Sequence, residues 1–291
     1  LKTKTKKMRI HSGTHYHAFY SEEGRQDQLR WFDHWLKGND TGFMDEPPVK
    51  LEIRTGGKQG RYDFRFEKDW PIPRTKWTKW YLDIEREPDG KPESFEGQLR
   101  STPPKKEKTL TYATSAGGHG GGHGRMGASF VTPPMKEATE ITGPLMMNIW
   151  VSSTTEDADI MVTLRNFGPD GKEVFEVGSQ GQPTVLTKGW LRASHRKLDK
   201  AKTLPYRPYH AHNERWWLTP GEPVECQVEI WATSIVLQKG HRLRVDVSAV
   251  DGVGTAIYTH YNADYKAHAK NTIHSGGKRS SYLMVPVIPA K

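Results

Sequence analysis

His15 is the side chain with the clearest chemical potential in this 291-residue chain. It follows a short strand-like segment, Met8 to Ile10, and a Ser12-Gly13-Thr14 turn signal, and it precedes a helical pattern. An imidazole in such a setting suits a general base, because its ordinary pKa lies near neutrality and its two nitrogens can take different partners. In one known chain order the histidine of a Ser-Asp/Glu-His triad comes last, after the nucleophile and the acid. Only fourteen residues precede His15, and they hold no Asp or Glu and no Gly-x-Ser-x-Gly elbow. The reading without chemistry is a loop histidine bonded to backbone, and His11 and His17 titrate in the same neighbourhood.

Three further constellations carry reactive or ligating types. Val177-Gly178-Ser179-Gln180-Gly181 approaches a nucleophile elbow but lacks its first glycine and lies in sheet-like sequence. Gly117 to Gly124 holds His119 and His123, yet glycine supplies no second layer of support and no third ligand stands at metal-site spacing, so a mobile loop is expected. His210, His212 and Glu214 alternate beside Trp216 and Trp217, which suggests packing, a binding surface or a weak metal site. No cofactor and no metal centre is expected.

One helix and many strands must position these groups. Leu29, Phe32 and Leu36 recur at helical spacing within 24–37, with Trp31 and Trp35 on the adjoining stripe and Gly38 as the expected C-cap. That stripe is wide enough to need burial against something substantial. From Val49 onward the period becomes two: Val49, Leu51 and Ile53 alternate, as do Tyr62, Phe64 and Phe66, then Trp80, Leu82 and Ile84. These predict half-buried strands, and further strands are expected over 109–113, 129–132, 145–152, 159–167, 173–177, 190–195, 224–231, 243–247 and 282–287. Pro88-Asp89-Gly90 and Pro169-Asp170-Gly171 read as turns, and 200–220 as a long irregular crossing. Many short strands without a second strong helix predict an antiparallel sandwich or jelly roll.

Composition narrows the function classes. The 34% hydrophobic share becomes ordinary once 28 glycines are counted, which excludes a disordered chain. A formal charge of +9 makes acidic partners conceivable, but only Lys2, Lys4, Lys6, Lys7 and Arg9 form a run. Nucleic acid is therefore not an expected partner. No apolar stretch suits a membrane span, and the single cysteine, Cys226, forbids an intrachain disulfide. Without a leader or disulfides the compartment stays open, tilted towards the cytoplasm.

An ordered series of segments resembles one known family. Gly13-Thr14-His15-Tyr16, Phe19-Tyr20, Arg30 to Gly38 and Pro47-Pro48-Val49 resemble the join between the hydrolase and C-terminal domains of the CocE/NonD hydrolases, the cocaine esterase and X-Pro dipeptidyl-peptidase family. Trp70-Pro71, Ile141 to Pro144, Asp157 to Ile160, Leu191 to Ser194, Gly240 to Val245 and Ser281 to Pro286 continue it, so that it covers about residues 7–288. The resemblance implies residues 1–46 as the end of an α/β-hydrolase domain and 47–291 as a mostly β, jelly-roll, galactose-binding-like sandwich. It implies His15 as the general base of a serine hydrolase acting on ester or amide bonds, X-Pro peptides included. The nucleophile, the acid and the oxyanion amides would then lie ahead of Leu1, and the isolated chain is expected to be inactive. Its expected partners are the upstream hydrolase domain, a small-molecule ester or amide and, through the helix face, a second copy in a homo-oligomer. The rival reading is a stand-alone sandwich that binds carbohydrate or a protein.

Overall fold

A computed structural model describes residues 3, 5–55, 62–84, 97–114, 127–251 and 269–290. His119, His123 and the Pro88-Asp89-Gly90 turn lie outside the described residues. The first elements are β1 (Met8–Ile10), α1 (His17–Tyr20) and α2 (Glu22–Lys37). Next come β2 (Val49–Thr55), β3 (Tyr62–Glu67), β4 (Lys76–Ile84), β5 (Gly97–Arg100), β6 (Lys108–Ala113) and β7 (Gly127–Val131). The long β8 (Thr139–Ser153) and β9 (Asp159–Phe167) follow, then the short β10 (Glu173–Val174), β11 (Glu176–Val177) and β12 (Pro183–Thr184). The last are β13 (Thr187–Arg192), β14 (Val224–Leu237), β15 (Arg242–Ser248), β16 (Lys270–Ser275) and β17 (Tyr282–Ile288).

The fold is the expected mostly antiparallel β architecture, and its pairings close on themselves. The order β14-β13-β9-β15-β7-β5-β4-β17-β8 returns to β14, so the two faces of the sandwich join into a barrel-like circuit. Closure removes most of the unpaired edge that an open sheet would expose. The pair β8 and β14 runs from Thr139↔Leu237 to Val151↔Val224, with a bulge between Ile230 and Thr233. Leu145, Met147, Ile149 and Val151 of β8 are fully buried, and their strand neighbours Met146 and Asn148 are nearly so. A strand covered on both faces reads as a continuous apolar run instead of an alternation. The main core also gathers Phe130, Val162, Leu243, Val245 and Leu283. Burial of Cys226 in it pushes the thiol up to about 12, which leaves no thiolate at neutral pH.

A smaller core positions the N-terminal segment. Val49, Leu51, Ile53, Ile72 and Ile288 form it, and Met8, Ile10, Trp70 and Val236 pack against it. The strand β1 pairs in parallel with β2, from Met8↔Val49 to Ile10↔Leu51, so the sheet crosses the expected division at residues 46 and 47.

Several sequence expectations change in detail. The segment 190–195 is strand only to Arg192, after which Ala193–His195 turns as a 3-10 helix. The expected strand over 173–177 is two short pieces, one paired with β9 and one with β12. The strands β5 and β16 were not anticipated: Gly-Gln-Leu-Arg is too short for a period, and Lys-Asn-Thr-Ile-His-Ser is too polar. The aromatic face of β3 is not core. Phe64 and Phe66 are exposed, and the Lys50 ammonium lies over both rings, 5.5 and 5.8 Å from their centroids.

Candidate active site

The backbone of the His15 loop is anchored at several points. Beyond β1, the Ser12 N–H donates to Glu52 Oε2 at 2.8 Å, and Glu52 is itself only 2% exposed. The His15 N–H donates to the Ser179 carbonyl at 2.9 Å, and the His17 N–H donates to Thr14 O at 3.2 Å as α1 begins. Ser21 then caps α2 by accepting from the Gly24 N–H at 3.1 Å, and Gly38 closes that helix in the left-handed region at φ 73°. Gly24 is required where it stands. A Cβ there would lie 1.7 Å from the Ala18 carbonyl oxygen, so only glycine lets α1 and α2 meet at this angle.

A polar layer fastens α2 to the sheet. Arg9 Nη1 meets Asp27 Oδ2 at 2.5 Å, and its Nη2 lies 3.4 Å from Glu52 Oε1. Lys50 Nζ pairs with Glu23 at 2.6 Å and Asp27 at 3.0 Å. Arg30 Nη2 holds Glu46 at 2.6 Å beyond the helix end. With its polar side so engaged, α2 turns its apolar stripe outward. Leu29, Phe32 and Trp35 are half exposed and Leu36 is 77% exposed, and Phe19 and Tyr20 of α1 are exposed too. The stripe expected to need burial is thus uncovered. Beside it a cleft of about 560 Å³ is lined by Phe19, Trp31, Phe32, Phe43 and Arg9 among others.

His15 is exposed in the turn between β1 and α1. Among the described residues its imidazole has no hydrogen-bond partner, and its nearest ring is Tyr16, centroid to centroid 6.3 Å. Ser179 reaches it through backbone alone. That serine sits in the hairpin between β11 and β12, closed by Gly178 N–H to Gln182 O at 2.7 Å, and not on the strand-to-helix elbow an attacking serine needs.

Two clusters are brought together by the sheets, and the second contains the His210 and His212 that alternate in the sequence. Ser152 Oγ lies 2.9 Å from His274 Nε2, and His274 Nδ1 lies 3.4 Å from Glu107 Oε1, which Arg279 holds at 2.7 Å. The order of contacts resembles a triad, but Ser152 is 6% exposed and sits mid-ladder opposite Thr272, without an exposed turn. The second cluster joins His195 and His212, whose Nδ1 atoms are 3.2 Å apart. His210 flanks them, its ring centroid 6.0 Å from that of His212. With Trp190, Trp231, Arg192 and Glu229 they line a cavity of about 430 Å³. Glu214 does not take part, since its carboxylate pairs with Lys197. Trp216 and Trp217 instead carry Arg196 and Arg215 over their faces. No local pattern signals the Ser152 cluster or the arrival of His195 beside His212, because those members come from different strands and crossings.

Burial, the first cause in each case, holds His195, His210, His241 and His274 below the ordinary histidine pKa. A histidine depressed in the folded state takes its proton more readily when unfolded, so stability is lost as pH falls below about 6.5. Burial raises Glu176 and Glu229, whose sign is opposite and whose weight lies towards the carboxylate range. Thermal melting at constant ionic strength is therefore expected to show a midpoint that falls from pH 7 to pH 5.5, with a shallower slope in His274→Gln. A flat profile over that window would contradict it.

Comparison with known proteins decides the family. Residues 41–284 match the X-Pro dipeptidyl-peptidase C-terminal non-catalytic domain. The chain belongs to this family. Residues 41–284 are thus of the non-catalytic C-terminal domain type of X-Pro dipeptidyl-peptidases and CocE-type hydrolases. A Mycobacterium bovis protein carrying a provisional serine-esterase name is 28% identical over 245 residues, 79% of this chain and 36% of that protein. Cocaine esterase from a Rhodococcus species is 25% identical over 287 residues, 89% of this chain and 45% of that enzyme. A CocE/NonD family hydrolase from Staphylococcus aureus shares the fold at a TM-score of 0.85 and 23% identity, over 99% of this chain and 49% of that structure. The chain thus spans between about a third and a half of the length of these relatives.

Proposed function

We propose that this X-Pro dipeptidyl-peptidase C-terminal-type chain serves as the C-terminal part of a serine hydrolase that cleaves ester or amide bonds. Residues 1–46 complete the α/β-hydrolase domain and contribute His15 as general base; residues 47–291 brace that domain. The carrying observation is the exposure of His15 on a loop anchored by Glu52 and Ser179 and followed by an uncovered apolar helix face. In this role the imidazole takes the proton of a serine hydroxyl as it attacks the acyl carbon, and returns it to the leaving group. A carboxylate on the other ring nitrogen sets the tautomer. The serine, the carboxylate and the oxyanion amides come from the hydrolase domain.

The exposed face of α2 is the docking surface for that domain, because monomeric proteins rarely leave so large an apolar patch in water. Phe32→Asp combined with Leu36→Asp is expected to weaken association with a separately expressed hydrolase domain by about tenfold or more. The melting midpoint should move by under about 2 °C, since both side chains are at least half in water already. Calorimetric titration and thermal melting measure the two effects. In the absence of that domain the same face promotes self-association, and light scattering showing a clean monomer with no dye-binding patch would count against the reading.

The 291-residue polypeptide on its own is expected to show no ester turnover. Fluorophosphonate labelling of one of its serines, together with nitrophenyl-ester hydrolysis abolished by His15→Ala, would overturn this. A second reading, a carbohydrate-binding module, draws on Trp231, which is 65% exposed beside Trp190 at the mouth of the cavity. A glycan array separates it from the first.

A further inference from the structure

We propose that His195 and His212 form the bite of a binding site for a divalent transition-metal ion, with His210 as a third imidazole on the same wall. This site is independent of the hydrolase reading. Two imidazole nitrogens at about 2.0–2.1 Å from one ion, at a tetrahedral angle, lie about 3.3 Å apart. The two Nδ1 atoms are 3.2 Å apart, so the pair already has the span of two ligands.

Three features orient these rings. His212 has φ 50°, the one non-glycine residue in the left-handed region among the described residues. Such backbone is costly and persists where surrounding structure holds it, often at sites of function. His210 Nε2 donates to the Gln227 carbonyl at 3.0 Å, which fixes its tautomer and leaves Nδ1 as the bare nitrogen. His195 ends the 3-10 turn, which Asp157 anchors by accepting from both the Ser194 N–H at 2.9 Å and its hydroxyl at 2.7 Å.

The charges around the pair are of both signs. Asp157 favours positive charge at His195 while Arg192 and Arg215 oppose it, and Glu229 and Arg192 both line the cavity. Arg192 is turned to Asp159 at 3.2 Å, and Arg215 lies over the Trp217 ring. As the side chains stand, no three histidine, cysteine or carboxylate groups among the described residues converge on one point. The ion is therefore held by the two Nδ1 nitrogens and water, and His210, kept on the Gln227 carbonyl, flanks the site. An all-imidazole donor set favours copper(II), zinc or nickel over calcium or magnesium.

Copper(II) is the probe, added to the 291-residue chain in a His119→Ala/His123→Ala background so that the glycine-flanked imidazoles contribute nothing. One ion per chain is expected to bind, with nitrogen hyperfine structure in its electron paramagnetic resonance spectrum. His195→Ala and His212→Ala should each weaken binding by about tenfold or more, the scale on which a lost ligand or its support acts. His195→Gln, which keeps a polar partner for His212, should weaken it as well, so a loop disturbed by alanine cannot account for the result. Binding that survives the His195 and His212 changes, or no saturable uptake below about 1 mM, overturns the proposal.

Discussion

His15→Ala, made in a polypeptide that joins this chain to its proposed hydrolase domain, is expected to lower kcat on a nitrophenyl ester by about 10⁴-fold or more. A serine hydroxyl is a weak nucleophile at neutral pH, and the base that removes its proton acts only as the transition state forms. Loss of the base therefore falls on kcat, while KM, set by contacts elsewhere, stays within a few-fold. Residual turnover comes from oxyanion stabilisation and substrate binding, which a histidine change leaves intact. His11→Ala and His17→Ala provide the controls. The His11 ring contacts the Ser12 carbonyl at 3.4 Å and His17 opens α1; both are exposed like His15, so they report what the loss of a neighbouring surface imidazole does by itself. A kcat within tenfold of the parent for His15→Ala would remove this residue from the mechanism.

Glu52→Ala is expected to cost about 2–4 kcal/mol of stability and, in the joined polypeptide, to reduce kcat by about 10–100-fold. The carboxylate accepts the Ser12 N–H at 2.8 Å and faces Arg9 at 3.4 Å from a position almost wholly out of water. Alanine would leave a backbone N–H without its acceptor at the start of the His15 loop. It would also leave Arg9 with Asp27 as its close carboxylate partner at 2.5 Å, and its Nε is already a buried donor without a bond. Glu52→Gln keeps an acceptor for Ser12 and should recover most of the activity, at a stability cost of roughly 1 kcal/mol. Under the proposed function Glu52 acts as a positioning residue: kcat should fall with little change in KM, and the amide should rescue it. Urea unfolding and steady-state kinetics on the two variants supply the check. Equal kcat in parent and Glu52→Ala would show that the turn does not depend on this anchor.

The local signals in the sequence were strong where short-range physics decides the outcome. Leu29, Phe32 and Leu36 at helical spacing and a terminal glycine predict a helix ending at Lys37, and α2 ends there. Alternation predicts β2 and β15 to within two residues, because a pleated strand separates its faces by a period of two. The same alternation misjudges β3. Period two states that the two faces differ, but not what covers each one, so Phe64 and Phe66 could not be told from core residues. The short α1 carries no periodic signal of its own, and Gly24 declares its need for close approach only when Ala18 is folded against it.

The candidate chemistry divides in the same way. From residues alone came a histidine after a strand and a turn, a helix behind it, a β-rich remainder and an ordered family resemblance that the domain match bears out. Tertiary structure alone decided that Glu52 anchors the His15 loop, that the helix face stays uncovered and that β8 and β14 close the circuit of strands. It alone joined His195 to His212 and Ser152 to His274 and Glu107, and it separated Glu214 from the histidines. The physical reason is range. Periodicity, capping and turn chemistry act over a few residues and can be read along the chain, whereas these contacts depend on which strands pair, and that is settled by burial of the shared core.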